Sequence, residues 1–247
     1  MKQNIYDDPD FFAGYAALRA GSGTVNELLE QPAIHSLLPD LHGKAVLDLG
    51  CGAGRLCRHL VTLGAARVVG LDISSRMICQ AREEHGAHEA ISFEHSPIED
   101  GEFGTEAYDL VVSSLALHYV QDLRPVFRKI EAALRPGGRF VFSMEHPLCT
   151  CTLGRDESGW HTDEDGRRLF WKVDEYSREG LRRSRWFVDG VVRYHRMLST
   201  IVNDLVESGL SVERVLEPHS GDEKHEAALE EEKRRPPFLM VRAAKAA

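Results

Sequence analysis

The chain has 247 residues, 43% of them hydrophobic, and a formal charge of -9. That is enough apolar material for one substantial core, so the expectation is a single α/β domain with insertions rather than a disordered or fibrous chain. The acidic balance argues against a surface that tracks nucleic acid, the lack of a long apolar run or apolar leader argues against membrane or export, and five cysteines, an odd number, argue against a disulfide framework. A cytoplasmic protein is expected.

Residues 1–40 hold Tyr6, Phe11, Phe12, Tyr15, Leu18 and Arg19 ahead of Asn26-Glu27-Leu28-Leu29 and show no strand pattern, so they read as an aromatic-rich helical arm. The next run, Val46-Leu47-Asp48-Leu49-Gly50-Cys51-Gly52-Ala53-Gly54, is an apolar strand that breaks into three alternate glycines before Arg55-Leu56-Cys57. A strand-to-helix turn of this kind lets a ligand lie against main-chain amides. The dinucleotide fingerprint wants its third glycine where Arg55 stands, and Asp48 would repel a pyrophosphate but attract an ammonium. A second strand, Arg67 to Asp72, ends in a carboxylate placed to grip a ribose diol. Ammonium contact with diol contact describes S-adenosylmethionine.

Ser74 is a suitable N-cap for a helix through Met77, Ile78 and Ala81 that ends near Gly86, its first turn facing the cofactor. Tyr108-Asp109-Leu110-Val111-Val112-Ser113-Ser114 reads as a strand, followed at its carboxyl end by His118. Leu123, Phe127, Ile130 and Leu134 form a helical stripe closed by Pro136-Gly137-Gly138, and Phe140 to Met144 forms the next strand. Leu198, Ile201, Val202 and Leu205 mark another helix, and strands are expected near 211–216 and 237–242. Asp222 to Arg235, with Glu230/Arg234 and Glu231/Arg235 at helical spacing, reads as an exposed connector. The predicted fold is Rossmann-like and doubly wound, a seven-stranded, mostly parallel sheet with an antiparallel last strand.

Four segments in order, 46–54, 68–72, 108–114 and 134–140, make the chain resemble the class I S-adenosylmethionine-dependent methyltransferases. The resemblance implies that Gly50, Gly52 and Gly54 line the methionine and ribose and that Asp72 holds the ribose hydroxyls. The cofactor set expected around them adds Asp48, Cys51, Ile73 and Met77, with Ser113 and Ser114 from the third motif. Pro97 stands where the family often carries an Asp beside the adenine, leaving Glu99 or a carbonyl near Ile98 to meet the adenine amine. From the arm, Arg19 is expected to pair the cofactor carboxylate and Tyr6 or Tyr15 to shape the methyl channel. The domain plan is an arm over 1–40, a cofactor core over 41–145, a substrate lid over 146–196 and the rest of the core over 197–247.

Three candidates stand out for proton transfer. His118 has an imidazole suited to neutral pH, and Glu145 and His146 follow the next strand, where adjacent residues cannot both enter one pocket. Tyr194-His195 reads as packing. The lid carries all three tryptophans, Trp160, Trp171 and Trp186, which suit a flat or apolar acceptor or else the lid's own core. Its ten Lys or Arg against nine Asp or Glu over 152–196 leave one cluster, Arg178, Arg182, Arg183 and Arg185, for a substrate carboxylate or a solvated face. Cys149, Cys151 and His146 lack the second ligand pair that a zinc site wants, so no metal is expected. The function expected is methylation of a small, aromatic metabolite with a His as base; a protein or RNA methyltransferase and a non-catalytic cofactor-binding subunit are the alternatives, and a homodimer is admitted.

Overall fold

The computed structural model describes residues 2–21, 23–152, 159–219 and 229–247. The arm forms helix α1 (Pro9–Ala20), which Asp8 caps by accepting from the N–H groups of Asp10 and Phe11, then a π-turn over Asn26–Glu30 and α2 (Gln31–Ser36). Strands and helices then alternate: β1 (Ala45–Leu49), α3 (Arg55–Thr62), β2 (Arg67–Asp72), α4 (Ser75–His85), β3 (Ile91–His95), β4 (Tyr108–Ser114), α5 (Leu123–Ala133) and β5 (Leu134–Glu145). The short helix α6 (Pro147–Thr150) opens an insertion made of two hairpins, β6 (Trp160–Thr162) with β7 (Arg168–Trp171) and β8 (Gly180–Trp186) with β9 (Val188–His195). The chain returns through α7 (Leu198–Glu207), β10 (Leu210–Leu216) and β11 (Phe238–Lys245).

Seven strands lie in the order β10-β11-β5-β4-β1-β2-β3. The first five strands run parallel, and β11 enters antiparallel between β5 and β10. Alternate side chains feed two cores, as the pleat requires. Leu47, Leu49, Val69 and Leu71 join Phe127, Ile130, Phe140 and Phe142 under α5 and α7, while Val46, Val68 and Leu110 meet Leu60, Ile78 and Ile34 under α3, α4 and α2.

Two boundaries differ from expectation. The α5 stripe stops at Ala133, and Leu134 already pairs with Tyr108, so Pro136-Gly137-Gly138 is a bulge inside β5 rather than a gap before it. Gly137 at φ 73° makes this possible, since it lets the extra residues loop out while pairing resumes at Arg139. In the connector, 222–228 lies outside the described residues, and the part that follows is not simply exposed. Leu229 is buried, and Arg234 and Arg235 lie over the rings of Trp160 and Trp171 rather than pairing with Glu230 and Glu231. Those glutamates pair with Lys233 and Arg168 instead.

Candidate functional site

The parallel strands end along one edge of the sheet, and β1 and β4 are adjacent there with crossovers leaving in opposite directions, which opens a crevice. Leu115, at φ 52°, turns the chain sharply after β4 and gives its N–H to Ser143. That left-handed residue is strained for a Leu, and it redirects the chain into the turn Leu117–Tyr119. The result is a cleft at the carboxyl edge of the sheet, the place where open α/β sheets receive small molecules.

Gly50, Gly52, Asp72, Ile73 and Met77 line it, as do Pro97, Ile98, Glu99 and Ser114, all expected cofactor contacts. Tyr15 and Arg19 reach it from the arm and also border an adjoining groove over the glycine turn, where Cys51 lies. Asp72 accepts from the main-chain N–H of Gly52 at 2.9 Å and of Ser74 at 2.8 Å, so one carboxylate ties the glycine turn to the start of α4. Ser74 in turn caps that helix through Met77, and Asp7 caps it a second time through Ser74, Ser75 and Arg76. These hydrogen bonds, with one more from the Asn4 amide, hold the Asp7 carboxyl down at about 2 against its partial burial.

Other expected contacts lie off the cleft. Gly54 serves as the N-cap of α3, and the Ser113 hydroxyl donates to the Leu49 carbonyl at 2.8 Å, sealing β1 to β4. Asp48 is fully buried beneath the glycine turn, where its Oδ2 accepts from the Cys57 thiol and its Oδ1 has no hydrogen bond among the described residues. Burial therefore pushes its carboxyl up to about 7. The acid that does face the cleft, and that sequence reasoning missed, is Glu30. It is 2% exposed, its Oε1 accepts from Ser143 at 2.5 Å and Ser114 at 2.7 Å, and its Oε2 has no hydrogen bond among the described residues. Arg19 is near enough to oppose the upward push of burial on the Glu30 carboxyl. A guanidinium and a carboxylate beside a glycine turn complement a zwitterionic amino-acid group, and Asp72 with lone pairs to spare complements a diol. The residues present fit S-adenosylmethionine.

Asp48 gives a pH test. With a carboxyl ordinarily near 3.8 raised to about 7, the folded chain holds a proton that the unfolded chain releases, so this contribution to stability is complete below about 4 and lost as pH rises through 7. Asp48→Asn is expected to gain in melting temperature on the wild type steadily between pH 4 and 8. A constant difference across that range would show that Asp48 is not buried as described.

The ring-lined part of the cleft is built from distant parts of the chain. Tyr6, Tyr119, His118, Glu145 and Trp186 line it. His118 is buried, and its Nδ1 accepts from the Glu145 main-chain N–H at 3.4 Å, which assigns the neutral ring's hydrogen to Nε2. Burial drives its pKa down to about 4, with the Glu145 charge only partly opposing. Glu145 pairs with Arg193 of β9 at 3.0 Å, and Tyr119 beside them meets the Tyr6 ring edge to face at 6.3 Å. Burial pushes the Tyr119 hydroxyl up to about 12, with the Arg193 charge opposing it. Arg193 and Glu30 were not legible as site residues, because each is placed by a partner far along the chain.

As the alternation of a strand requires, His146 turns away from the cleft. Its Nδ1 accepts from Leu148 and its Nε2 meets Glu217 at 2.9 Å, so it is a buried helix cap. Cys149 and Cys151 contact carbonyls instead of joining it. Of the lid tryptophans, only Trp186 enters the cleft, while Trp160 and Trp171 pack edge to face in the other hairpin. The arginine cluster is likewise dispersed: Arg182 is spent on four main-chain carbonyls, Arg178 pairs with Glu175 and Arg185 with Asp189. His195 bonds Thr150 and the Tyr176 carbonyl within the insertion, as expected of packing.

A methyltransferase-domain family matches residues 47–142. A solved S-adenosylmethionine-dependent methyltransferase of Mesorhizobium loti is 40% identical, covers 87% of this chain and 97% of its own, and superposes with a TM-score of 0.79. A candidate methyltransferase of the same kind from Listeria monocytogenes is 36% identical over 88% and 97% of the two chains, with a TM-score of 0.82. An uncharacterized protein of Haemophilus influenzae is 34% identical over 99% of this chain and 98% of its own. Relatives of named activity match less: the chain spans about half the length of the malonyl-[acyl-carrier protein] O-methyltransferase of Salmonella typhimurium, at 34% identity, and of the ubiquinone biosynthesis O-methyltransferase of Bordetella avium, also at 34%. With the glycine turn, the Asp72 clamp and near full-length similarity to solved members, the chain belongs to the class I S-adenosylmethionine-dependent methyltransferases.

Proposed function

We propose that the chain methylates a small aromatic metabolite, with residues 1–40 and 146–196 closing over a core formed by 41–145 and 197–247. The observation that carries this is the ring-lined side of the cleft: Tyr6, Tyr119 and Trp186 face the same space as the glycine turn. Large rings offer contact area at little entropic cost, and they line a concave cleft rather than a flat surface.

When bound, S-adenosylmethionine supplies a methyl group already activated on a sulfonium, which leaves the protein to align the acceptor, exclude water and take up a proton. Exclusion falls to the arm. The Gln3 side chain donates to the Gly190 carbonyl and accepts from the Val192 N–H, fastening the arm to β9 beside the cleft, and Phe187 seats against α1 at Gly14, where a Cβ would stand 2.6 Å from its ring. For the proton, Glu145 is the better acceptor: its carboxylate lines the cleft, whereas the Nδ1 of His118 is occupied by a main-chain N–H. In this reading His118 donates from Nε2 and orients the acceptor.

Incubation with methyl-labelled cofactor and a cell extract tests the proposal, label being expected in the low-mass fraction. Label only in protein or RNA would favour a macromolecular substrate, and cofactor binding with no transfer would favour a non-catalytic subunit. Because burial holds His118 near 4, kcat is expected to show no break between about pH 5.5 and 7.5. A break near 6.5 that disappears in His118→Gln would restore the histidine as base.

A further inference from the structure

We infer that the methyl acceptor carries an uncharged aliphatic side arm, received in a second hollow between the β8–β9 hairpin and the start of α5; this rests on the methyltransferase reading above. Across the hairpin Leu181 lies opposite Tyr194 and Arg183 opposite Val192, so these four side chains share one face. They line the hollow on one side, and Pro125 and Val126 of α5 line it on the other. The hairpin's opposite face is the packed one, where His195 bonds Thr150 of α6 and Arg182 is buried. Leu181 is left 43% exposed, and Pro125 across from it is exposed as well.

The hollow adjoins the cleft. Lys2, Gln3, Glu99 and Tyr119 line both spaces, whereas Gly50, Gly52, Asp72 and Met77 do not reach the hollow, so it extends the ring-lined end and not the cofactor cradle. Two ties hold its shape. Gln3 fastens to the main chain of β9 at Gly190 and Val192, and Arg196, 7% exposed, donates to the carbonyls of Val120 and Gln121, joining the end of β9 to the approach to α5.

Polarity decides the occupant. Among the described residues lining the hollow, Lys2 and Arg183 stand against Glu99 and Asp122, and of these Lys2 is paired with Asp100 while Asp122 caps α5 through the Arg124 N–H. Neither sign predominates, so an ionic arm gains little there. What remains is the apolar surface of Pro125, Leu181 and Val192 with the rings of Tyr119 and Tyr194, which favours an alkyl chain. With its ring in the cleft and its arm in the hollow, an acceptor gains about two- to fourfold in affinity for each CH₂ withdrawn from water, until the hollow is filled.

Phenol and para-butylphenol, titrated calorimetrically into the protein saturated with S-adenosylhomocysteine, test this. The expected result is para-butylphenol binding at least about tenfold tighter than phenol, a gain lost in Leu181→Glu and in Pro125→Glu. Both positions are exposed, so both variants should fold and keep S-adenosylhomocysteine. Val206→Glu, which removes an exposed apolar side chain of α7 that lines neither space, should keep the gain. Equal binding of the two phenols by the wild type, binding of neither while S-adenosylhomocysteine binds, or a gain that survives both Leu181→Glu and Pro125→Glu would overturn the inference. Failure to bind S-adenosylhomocysteine at all would instead remove the methyltransferase reading and this one with it.

Discussion

Asp72→Ala is expected to lower affinity for S-adenosylhomocysteine by about a thousandfold or more. The carboxylate stands at the end of β2, 9% exposed, and accepts from two main-chain N–H groups in different segments of the cleft wall, Gly52 in the turn and Ser74 at the start of α4. Hydrogen bonds to a charged group are each worth about 1.5–3 kcal/mol, and the substitution removes the carboxylate proposed to hold the ribose while loosening both segments it ties together. Asp72→Asn should lose less, because its one amide oxygen can still serve one of the N–H groups. A folded Asp72→Ala protein within about tenfold of the wild type in calorimetry would mean that the ribose is held elsewhere.

A second large effect separates binding from folding within the glycine turn. Gly50 and Gly52 both have positive φ, 77° and 53°, so an added Cβ strains either by about 1–2 kcal/mol. Their surroundings differ. At Gly50 a Cβ would come within 2.3 Å of the Ala116 Cβ, so Gly50→Ala must displace the loop after β4 and should cost several kcal/mol of stability as well as all measurable cofactor binding. At Gly52, which lines the cleft, a Cβ would meet nothing within 4 Å among the described residues. Gly52→Ala is therefore expected to melt within a few degrees of the wild type yet lose S-adenosylhomocysteine binding by about a hundredfold. Equal losses of stability in the two variants, with binding kept in Gly52→Ala, would contradict the placement of the cofactor against this turn.

What could be read from the sequence was whatever local spacing encodes. The glycine turn, the acid at the end of β2, the Ser74 cap and the strand-helix alternation are each written within a dozen neighbouring residues, and period-two alternation separated Glu145 from His146 as the structure does. The remainder depended on pairs distant in sequence. Glu30 meets Ser143 across 113 positions, and Arg193 reaches Glu145 only because β9 folds back beside β5, so neither stood out from the many other charged residues. Trp160 and Trp171 were read with Trp186 because they share an insertion, but Arg234 and Arg235 draw them into a separate hairpin. Asp48 was legible as a site acid by motif. Its burial under the turn shows that the carboxylate facing the cleft near Arg19 comes from the arm instead.

The most direct test of the central claim is calorimetric titration of the full chain with S-adenosylmethionine, S-adenosylhomocysteine and, as a control, reduced nicotinamide adenine dinucleotide. The expected result is one site per chain with micromolar affinity for the first two and none for the third, since Arg55 stands in place of the third fingerprint glycine and the acids of the cleft repel a pyrophosphate. Tight binding of the dinucleotide by a folded protein that ignores both adenosyl compounds would contradict it.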